Sequence, residues 1–330
     1  MKGRILVLTV GIFILASSHL GEAQKPAKQV PRIGFISSSG APGSPSPLLD
    51  AFRQGLRDLG YVDGKNIVIV HRYAVGRLDR MPPFVHEFVQ QKVDVIVGVN
   101  NVVIQAAKKA TETIPIVMIS SVDPVAAGYV ESFARPGGNI TGLATISRDL
   151  SAKRVELLKE LLPRVSRVGI LWDTDGPGPA VAFKEYERAA RGFKLEFHSL
   201  EIRGPNPDLA GAFRAAKTAR VDALIVVSNP LTSQHAKEIF ELATKYRLPS
   251  MTEERRYVNA GSLMSYGANQ ADLLRHGATY VDKILKGAKP DDLPVMLPTN
   301  IETFINLKTA QQLGLALPQH VLVQADKVIK

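Results

Sequence analysis

The chain of 330 residues contains no cysteine and a single tryptophan, and only 6% of its residues are aromatic. Without cysteine it can hold no disulfide framework, no thiolate nucleophile and no cysteine-ligated zinc or iron–sulfur centre. No apolar run approaches the roughly 20 residues of a membrane-spanning helix. Hydrophobic residues make up 45% and charged residues 22% of the chain. This composition excludes a disordered protein, and the length predicts about two domains.

The net charge of +10 does not predict nucleic-acid binding. The chain has 41 Lys and Arg against 31 Asp and Glu, but the basic residues stand singly or in pairs such as Lys108-Lys109. No basic run and no aromatic-plus-basic segment of the RNP type is present. We therefore expect an evenly solvated basic surface and no nucleic-acid partner.

Residues 1–23 have the three parts of a secretory signal peptide. Lys2 and Arg4 form a basic start, Ile5–Ala16 is an apolar run of 12 residues, and small residues at Gly21 and Ala23 offer a cleavage site before Gln24. The run is too short to span a bilayer. We expect a cleaved signal peptide and a periplasmic protein, and without a cysteine after the run we expect no lipoprotein anchor. An uncleaved N-terminal anchor is the alternative.

The rest of the chain alternates short apolar strands with helical segments, which is typical of βαβ units in a parallel sheet. The predicted strands are 30–37, 66–71, 93–99, 114–120 and 140–144, and the predicted helices are 48–59, 79–91, 102–113 and 125–133. The same order then recurs: Arg32–Ile36 is answered by Arg167–Leu171, Val93–Val97 by Val221–Ile225, Ile114–Val117 by Leu248–Met251, and Gly138–Ile140 by Ala260–Leu263. The chain is thus predicted to be an α/β protein with two Rossmann-like lobes.

The sequence contains no complete motif of an enzyme or a metal site. None of the seven histidines has metal-ligand spacing, and no nucleophile elbow or Walker A loop is present. The segment 176–181, GPGPAV, imitates a dinucleotide-binding loop, but Pro177 and Pro179 lack the N–H groups that a pyrophosphate needs. We expect no catalytic residue, no cofactor and no metal.

Polar residues instead collect where the predicted strands end. Ligands of open parallel sheets bind at these ends, and two facing lobes form a cleft there that closes around a small molecule. Asp123-Pro124 and Asn100-Asn101 have an alternative role as helix N-caps, and Trp172 fits a core as well as a cleft wall. The candidate ligand-binding residues are Ser38, Ser39, Asn100, Asn101, Ser121, Asp123, Trp172, Asp173, Asn229 and Tyr266.

Several longer motifs carry a family resemblance over nearly the whole chain after the signal peptide. They are Asp50–Asn66 (DAFRQGLRDLGYVDGKN), Val93–Val97, Asp123–Val125, Ala134–Leu143 (ARPGGNITGL), Leu263–Gly267 (LMSYG) and Ala278–Gly287 (ATYVDKILKG). With them the chain resembles the extracytoplasmic substrate-binding proteins of ABC transporters, in the family that includes tryptophan- and tyrosine-binding proteins.

The resemblance implies a type I periplasmic-binding fold whose two lobes are joined by a three-stranded hinge. Together with the repeat it suggests an N-terminal lobe of 31–147 plus 268–298 and a C-terminal lobe of 148–267 plus 299–330. It also implies a monomer that delivers a small ligand to an ABC permease. A periplasmic sensor module that hands the ligand to a membrane receptor, and a two-lobe α/β enzyme, are the alternatives.

Two departures from the family pattern fall at the cleft. Asn100-Asn101 stands where small hydroxyl residues are expected, and Ser228-Asn229-Pro230 where an acid before the proline is common. The expected ligand is therefore an amino acid or related small carboxylate, without a commitment to an aromatic one. Its anionic end is expected at helix starts of the N-terminal lobe, an ammonium group at Asp123 or Asp173, and an apolar part against Tyr266 or Trp172.

Overall fold

The structure, a computed structural model, describes residues 30–37, 46–74, 77–120, 123–145, 147–175 and 177–330. The predicted signal peptide, Ser38, Ser39 and Ser121 lie outside these residues. None of the described helices is long and apolar enough to cross a membrane.

The N-terminal lobe is built on a five-stranded parallel sheet in the order β2-β1-β3-β4-β5. Its strands β3 and β4 are buried along their whole length, because helices cover both faces of the sheet. The strands are β1 (Arg32–Ser37), β2 (Val68–Tyr73), β3 (Val95–Gly98), β4 (Ile116–Ser120) and β5 (Ile140–Ala144). The helices between them are α1 (Pro47–Asp58), α2 (Met81–Gln90) and α3 (Asn101–Ala110).

The C-terminal lobe holds a seven-stranded sheet in the order β12-β11-β10-β9-β8-β6-β7. Its strands are β6 (Arg167–Asp173), β7 (Glu196–Ile202), β8 (Ala223–Val226), β9 (Ser250–Thr252), β10 (Met264–Ala268), β11 (Ile301–Asn306) and β12 (Lys327–Ile329). The helices in this half of the chain are α4 (Ser147–Leu161), α5 (Pro177–Gly192), α6 (Leu209–Thr218), α7 (Pro230–Gln234), α8 (Ala236–Lys245), α9 (Arg255–Asn259), α10 (Gln270–Leu285), α11 (Leu307–Leu313) and α12 (Gln319–Gln324).

The predicted internal repeat is confirmed by the strand order. The order β7-β6-β8-β9-β10 reproduces β2-β1-β3-β4-β5 position by position. A detail at the opposite ends of the strands repeats as well: the Arg32 backbone N–H donates to the Asp94 carboxylate over 2.7 Å, and that of Arg167 to the Asp222 carboxylate over 2.8 Å. The two halves therefore share a topology and the hydrogen bonds that begin their first strands.

The chain crosses between the sheets three times. It passes to the second sheet between β5 and α4, returns between β10 and α10, and passes again between Met296 and β11. Helix α10 belongs with the first sheet, because its Leu274 and Ala278 pack in one core with Phe52 of α1. Met296 still pairs with β5, where its N–H donates to the carbonyl of Gly142 over 3.0 Å. The predicted α/β class with two lobes and a three-stranded connection is thus confirmed.

Two elements differ from the sequence-based expectation. Residues 125–133 form turns instead of a helix, since the Asp123 carboxylate accepts from the N–H groups of Val125 and Ala126 and Gly128 adopts a φ of +68°. The C-terminal sheet is not purely parallel: β11 runs antiparallel to β10. The two antiparallel-oriented strands β11 and β12 extend the repeated sheet at its edge.

Candidate functional site

A cavity of about 240 Å³ lies at the carboxyl ends of both sets of strands, between the lobes. A single water molecule needs about 10–15 Å³, so the space holds a small molecule. The N-terminal side is formed by Leu48, Val99, Asn100, Asn101, Val102, Gln105, Ile119, Ser120, Tyr129, Thr145, Ala268 and Gln270. The C-terminal side is formed by Arg154, Asp173, Asp175, Gly178, Pro179, Ala182, Val227, Ser228, Asn229, Pro230, Ser233, Glu253, Glu254 and Arg256.

The lobes approach each other closely at the start of α3 and α5. A Cβ atom placed on Gly178 would stand 3.5 Å from the Nδ2 atom of Asn101. The Asn101 side chain of one lobe therefore lies close to the α5 backbone of the other lobe, across the cleft.

The start of α3 gives the N-terminal wall its polar groups. Asn100 caps the helix, because its Oδ1 accepts from the Val103 N–H over 3.0 Å. Its Nδ2 is buried and has no hydrogen-bond partner among the described residues. Asn101 accepts from the Ser120 hydroxyl over 3.0 Å. An unpaired amide donor beside the positive end of a helix dipole is suited to an anionic ligand group.

All the charged side chains among the described lining residues come from the C-terminal lobe. They are Arg154, Asp173, Asp175, Glu253, Glu254 and Arg256. Tyr129, on the N-terminal side, has its pKa raised by burial and is neutral. Among the described lining residues, those of the N-terminal side are thus uncharged, and those of the C-terminal side carry four carboxylates and two guanidinium groups.

Asp173, at the end of β6, is 4% exposed and holds the neighbouring loops in place. Its Oδ2 accepts from the Asn229 side-chain amide over 2.7 Å, and its Oδ1 from the Asp175 N–H over 2.9 Å. Burial raises the pKa of the Asp173 carboxyl, and these two hydrogen bonds oppose the rise. Asn229 in turn caps α7 through the Thr232 N–H over 2.8 Å.

A second network holds Glu253, just beyond the end of β9. The Tyr186 hydroxyl donates to Glu253 Oε1 over 2.8 Å, and Arg154 Nη1 lies 3.5 Å from the same oxygen. Arg154 is 3% exposed and also donates from Nε to the carbonyl of Tyr266 over 2.6 Å. Burial raises the pKa of Tyr186 well above its ordinary value. The phenol is therefore protonated and acts as a donor to the carboxylate.

The two remaining acids of this wall are engaged otherwise. Glu254 forms an ion pair with Arg256 over 2.9 Å. Asp175 is exposed and accepts from the Gly204 N–H over 2.9 Å. Both carboxylates thus have a partner within the C-terminal lobe.

The structure brings four of the predicted site residues to the cavity and leaves three beside it. Asn100, Asn101, Asp173 and Asn229 line it, whereas Asp123, Trp172 and Tyr266 do not. The predictions for Ser38, Ser39 and Ser121 fall on residues outside the described ones. The ligand-binding roles of all ten residues stay predictions.

The three residues beside the cavity have structural partners. The exposed Asp123 carboxylate accepts from the next N–H groups of its own turn. Trp172 stacks on Phe183, with ring centroids 4.6 Å apart, and its Nε1 donates to Ser199. Tyr266 packs against the core of the C-terminal lobe. Their side chains are accounted for by these contacts alone.

Arg154 and Tyr186 are the functional candidates that sequence reasoning missed. Both lie inside helices, away from the strand ends where polar residues attract attention. Their only sequence signal is a charged or polar residue on the buried face of an amphipathic helix. Among the described residues, no three His, Asp or Glu side chains lie close enough to hold a metal ion.

The fold and cavity define a two-lobe α/β binding protein. The family described as ABC transporter substrate binding protein matches residues 45–329, and the chain belongs to this family. The proteins of the family are extracytoplasmic components of ABC transporters, with a small-molecule ligand and a permease as partners.

The chain is similar to a tyrosine-binding protein of Clostridioides difficile (strain R20291), with 27% identity over 82% of this chain and 78% of that protein. It is also similar to a domain from Streptococcus pneumonia solved in complex with L-Trp, with 26% identity, a TM-score of 0.81 and coverage of 91% and 99% of the two chains. A leucine binding protein of Thermotoga maritima, 13% identical with a TM-score of 0.61 over 86% of this chain and 87% of that one, shares the fold.

A third solved relative differs from the L-Trp complex in its ligand state. It is a ligand-free, open substrate-binding protein with adhesive properties from Clostridium difficile, 25% identical over 91% of this chain and 99% of that one. Its TM-score is 0.67, against 0.81 for the L-Trp complex at the same coverage. The chain is thus more similar overall to the L-Trp complex than to the open relative.

Proposed function

We propose that this protein captures an amino acid or related small carboxylate between its lobes and delivers it to its permease without changing it chemically. The observation that carries the proposal is the cavity between the lobes, in which a helix start and amides face charged groups of the other lobe. The relatives that bind tyrosine and L-Trp support an amino-acid ligand. That these relatives are binding proteins supports a non-enzymatic role.

The anionic end of the ligand binds at the start of α3. The Asn100 Nδ2 is a buried donor without a partner among the described residues, and it lies at a helix start, where the first N–H groups have no partner within the helix. An anion there gains charge-assisted hydrogen bonds and the helix dipole. No arginine of the N-terminal side is needed, in agreement with the uncharged lining of that wall.

The lobes move about the three crossings, near residues 145–149, 267–270 and 297–302. On this proposal the N-terminal lobe is 31–147 plus 268–298, and the C-terminal lobe is 148–267 plus 299–330. The difference between the open and the L-Trp-bound relatives in TM-score supports such a movement. Solution scattering on a monomeric sample should give a smaller radius of gyration with a bound amino acid than without it.

The protein reaches the periplasm through a cleaved signal peptide, as the composition of residues 1–23 supports. N-terminal sequencing of protein from an osmotic-shock fraction should begin near Gln24. Recovery only in membranes with Lys2 still present would contradict this part of the proposal.

The ligand is tested by titration calorimetry with the twenty amino acids and their deaminated acids, on protein freed of bound ligand by unfolding and refolding. A ligand at about 100 times its Kd adds roughly 2.7 kcal/mol to the free energy of unfolding, so thermal shifts of about 2–4 °C identify candidates first. Binding of none of these compounds would overturn the proposal.

The role of α3 has its own matched variant. Asn100→Asp keeps a good N-cap but replaces the Nδ2 donor by a carboxylate oxygen. Affinity for a carboxylate ligand should fall at least about tenfold, which is about 1.4 kcal/mol, while thermal stability of the unliganded protein stays within about 0.5 kcal/mol. An unchanged affinity would place the anion elsewhere.

A further inference from the structure

Glu253 is the carboxylate of the cavity that is held firmly and yet keeps an oxygen available. Its Oε1 accepts from the Tyr186 hydroxyl over 2.8 Å and lies 3.5 Å from Arg154 Nη1. Its Oε2 accepts no hydrogen bond from any described residue, and the side chain, 16% exposed, lines the cavity. This oxygen can therefore accept from a ligand group in the cavity, and once a ligand has displaced the water around it, it needs such a donor.

The other three carboxylates of the same wall do not offer this combination. Both oxygens of Asp173 are engaged, by the Asn229 amide and the Asp175 N–H. Glu254 also keeps one oxygen without a described donor, but Arg256 compensates its charge in an ion pair of 2.9 Å, whereas Arg154 stands 3.5 Å from Glu253. Asp175 is exposed and bonded to the Gly204 N–H. These contacts favour the end of β9 as the place of an acceptor for a cationic ligand group, whereas the sequence favours Asp123 or Asp173.

We propose that Glu253 is a specificity-determining residue that binds the ammonium group of the ligand through Oε2, with Tyr186 and Arg154 as positioning residues. The proposal rests on the proposed function and narrows its ligand class to amino acids, because acids without an ammonium group leave Oε2 unpaired in the closed cleft. An ammonium group brings three donors and a positive charge to this oxygen.

The positioning network explains why a single carboxylate oxygen is enough. Tyr186 and Arg154 come from α5 and α4, two helices packed on each other within the C-terminal lobe. Both side chains contact Oε1 of Glu253, so the carboxylate and its Oε2 are fixed in place before the ligand binds. This lowers the conformational entropy lost on binding. The α3 start lies on the opposite lobe, so an amino acid bound by its carboxylate there and by its ammonium group here connects the two walls.

The experiment compares amino acids with the same molecules carrying hydrogen in place of the α-amino group. The pairs are L-tyrosine with 3-(4-hydroxyphenyl)propionate, L-tryptophan with indole-3-propionate and L-leucine with 4-methylpentanoate. Calorimetry on the wild-type protein should show the amino acid of a pair binding at least tenfold more tightly than its acid. Wild-type protein that binds none of the twenty amino acids and none of their deaminated acids would contradict the proposed function. Equal binding of both members would contradict the ammonium site alone.

Glu253→Gln, which keeps the shape and one oxygen acceptor, should reduce the preference within a pair to below threefold by weakening the amino acid and leaving the acid unchanged. Tyr186→Phe removes the hydrogen bond that the Tyr186 hydroxyl donates to Glu253 and should lower the preference about threefold. A variant that only destabilises the fold would not change the preference within a pair. Glu201→Gln, the same substitution in the same lobe but away from the cavity, is the control and should keep the wild-type preference.

Two outcomes overturn the assignment. One is a Glu253→Gln variant that folds, as judged by circular dichroism, and keeps the tenfold preference. The other is loss of the preference in Asp173→Asn or Glu254→Gln with Glu253→Gln unaffected. If Glu253→Gln does not fold, Tyr186→Phe decides alone: an unchanged preference contradicts the proposal.

Discussion

The two lobes share a strand order and differ in the chemistry of their strand ends. After the third strand of each repeat an asparagine caps the following helix: Asn100 caps α3 and Asn229 caps α7. Asn229 uses both ends of its amide, on Thr232 and Asp173, whereas the Nδ2 of Asn100 has no partner among the described residues. A repeated fold thus places the same residue type twice, and its neighbours decide whether the amide nitrogen is paired within the protein or left unpaired.

Charge divides the lobes in the same way. The described lining of the N-terminal side is uncharged, while the C-terminal side carries all six charged residues. A symmetric pair of walls would suit a symmetric ligand. An uncharged wall with a helix start facing a carboxylate wall suits a ligand with opposite charges at its two ends.

The largest expected effects come from glycines in the fifth strand of each lobe. A Cβ on Gly142, whose φ is +133°, would stand 2.2 Å from the carbonyl oxygen of Met118. A Cβ on Gly267 would stand 1.9 Å from the carbonyl oxygen of Glu253. Strain and overpacking predict a loss of about 3–5 kcal/mol for Gly142→Ala and about 2–3 kcal/mol for Gly267→Ala, measured by urea unfolding.

The two variants are also expected to differ in their effect on affinity for an amino acid. Gly267→Ala displaces the backbone of Glu253 and should weaken binding of an amino acid in whatever protein stays folded. Gly142→Ala acts on β4 and β5 and should leave affinity unchanged at temperatures where it is folded. Equal losses of affinity would show that the lobes do not divide the binding work in this way.

The next largest loss of unfolding free energy is expected from replacing the two capping asparagines. Asn100→Ala should cost about 1 kcal/mol of unfolding free energy for the lost cap. Asn229→Ala loses a cap as well and leaves the buried Asp173 carboxylate without its amide donor, so about 2–3 kcal/mol is expected. Chemical unfolding of both variants beside the wild type measures the difference. Equal costs would mean that the Asn229–Asp173 hydrogen bond adds nothing to stability.

The repeat and the strand ends could be predicted from the sequence because both rest on local patterns. Buried parallel strands are apolar throughout, and Arg32–Ile36 with Arg167–Leu171 show the match between halves directly. The two antiparallel-oriented edge strands were not assigned, since β11 and β12 lack a partner in the repeat. The helix expected at 125–133 was wrong because Asp123 and Gly128 favour turns there.

The site was predicted only in part, for a physical reason. Asn100, Asn101, Asp173 and Asn229 are set by backbone position at strand ends, which periodicity locates. Glu253 is not distinguished from other acids by the sequence, because its position depends on contacts with Tyr186 and Arg154. These residues lie 67 and 99 positions away in the chain. Contacts over such separations leave no local pattern.

A smaller change in the free energy of unfolding is expected from pH, and it has opposite signs for one residue in each lobe. Burial, aided by Arg53 and Arg72, lowers the pKa of His71 in the N-terminal lobe from 6.5 to about 4. The unfolded chain therefore binds a proton at His71 more readily than the folded protein does. The contribution of neutral His71 to the free energy of unfolding is fully present above pH 6.5 and is lost as the pH falls to about 4. On the order of 2 kcal/mol is expected, allowing for the partial exposure of the ring.

Asp173 in the C-terminal lobe behaves oppositely. Its pKa is raised by burial above the ordinary 3.8, so its contribution to stability is greatest below pH 3.8 and is lost as the pH rises through the folded-state pKa. Urea unfolding of the wild type, His71→Gln and Asp173→Asn from pH 3.5 to 7 tests both signs. Acidification should destabilise the wild type more than His71→Gln and less than Asp173→Asn. Parallel curves for all three would contradict both assignments.

The smallest effect is expected where the lobes meet. A Cβ on Gly178 would stand 3.5 Å from the Asn101 Nδ2, which is an ordinary van der Waals distance. Gly178→Ala should therefore be accepted in the closed cleft, and because alanine favours a helix the free energy of unfolding should rise by at most about 1 kcal/mol. Affinity for an amino acid should change less than about threefold, or 0.7 kcal/mol. A tenfold loss, measured by calorimetry with unchanged stability, would show that α3 and α5 come closer in the liganded protein than they are here.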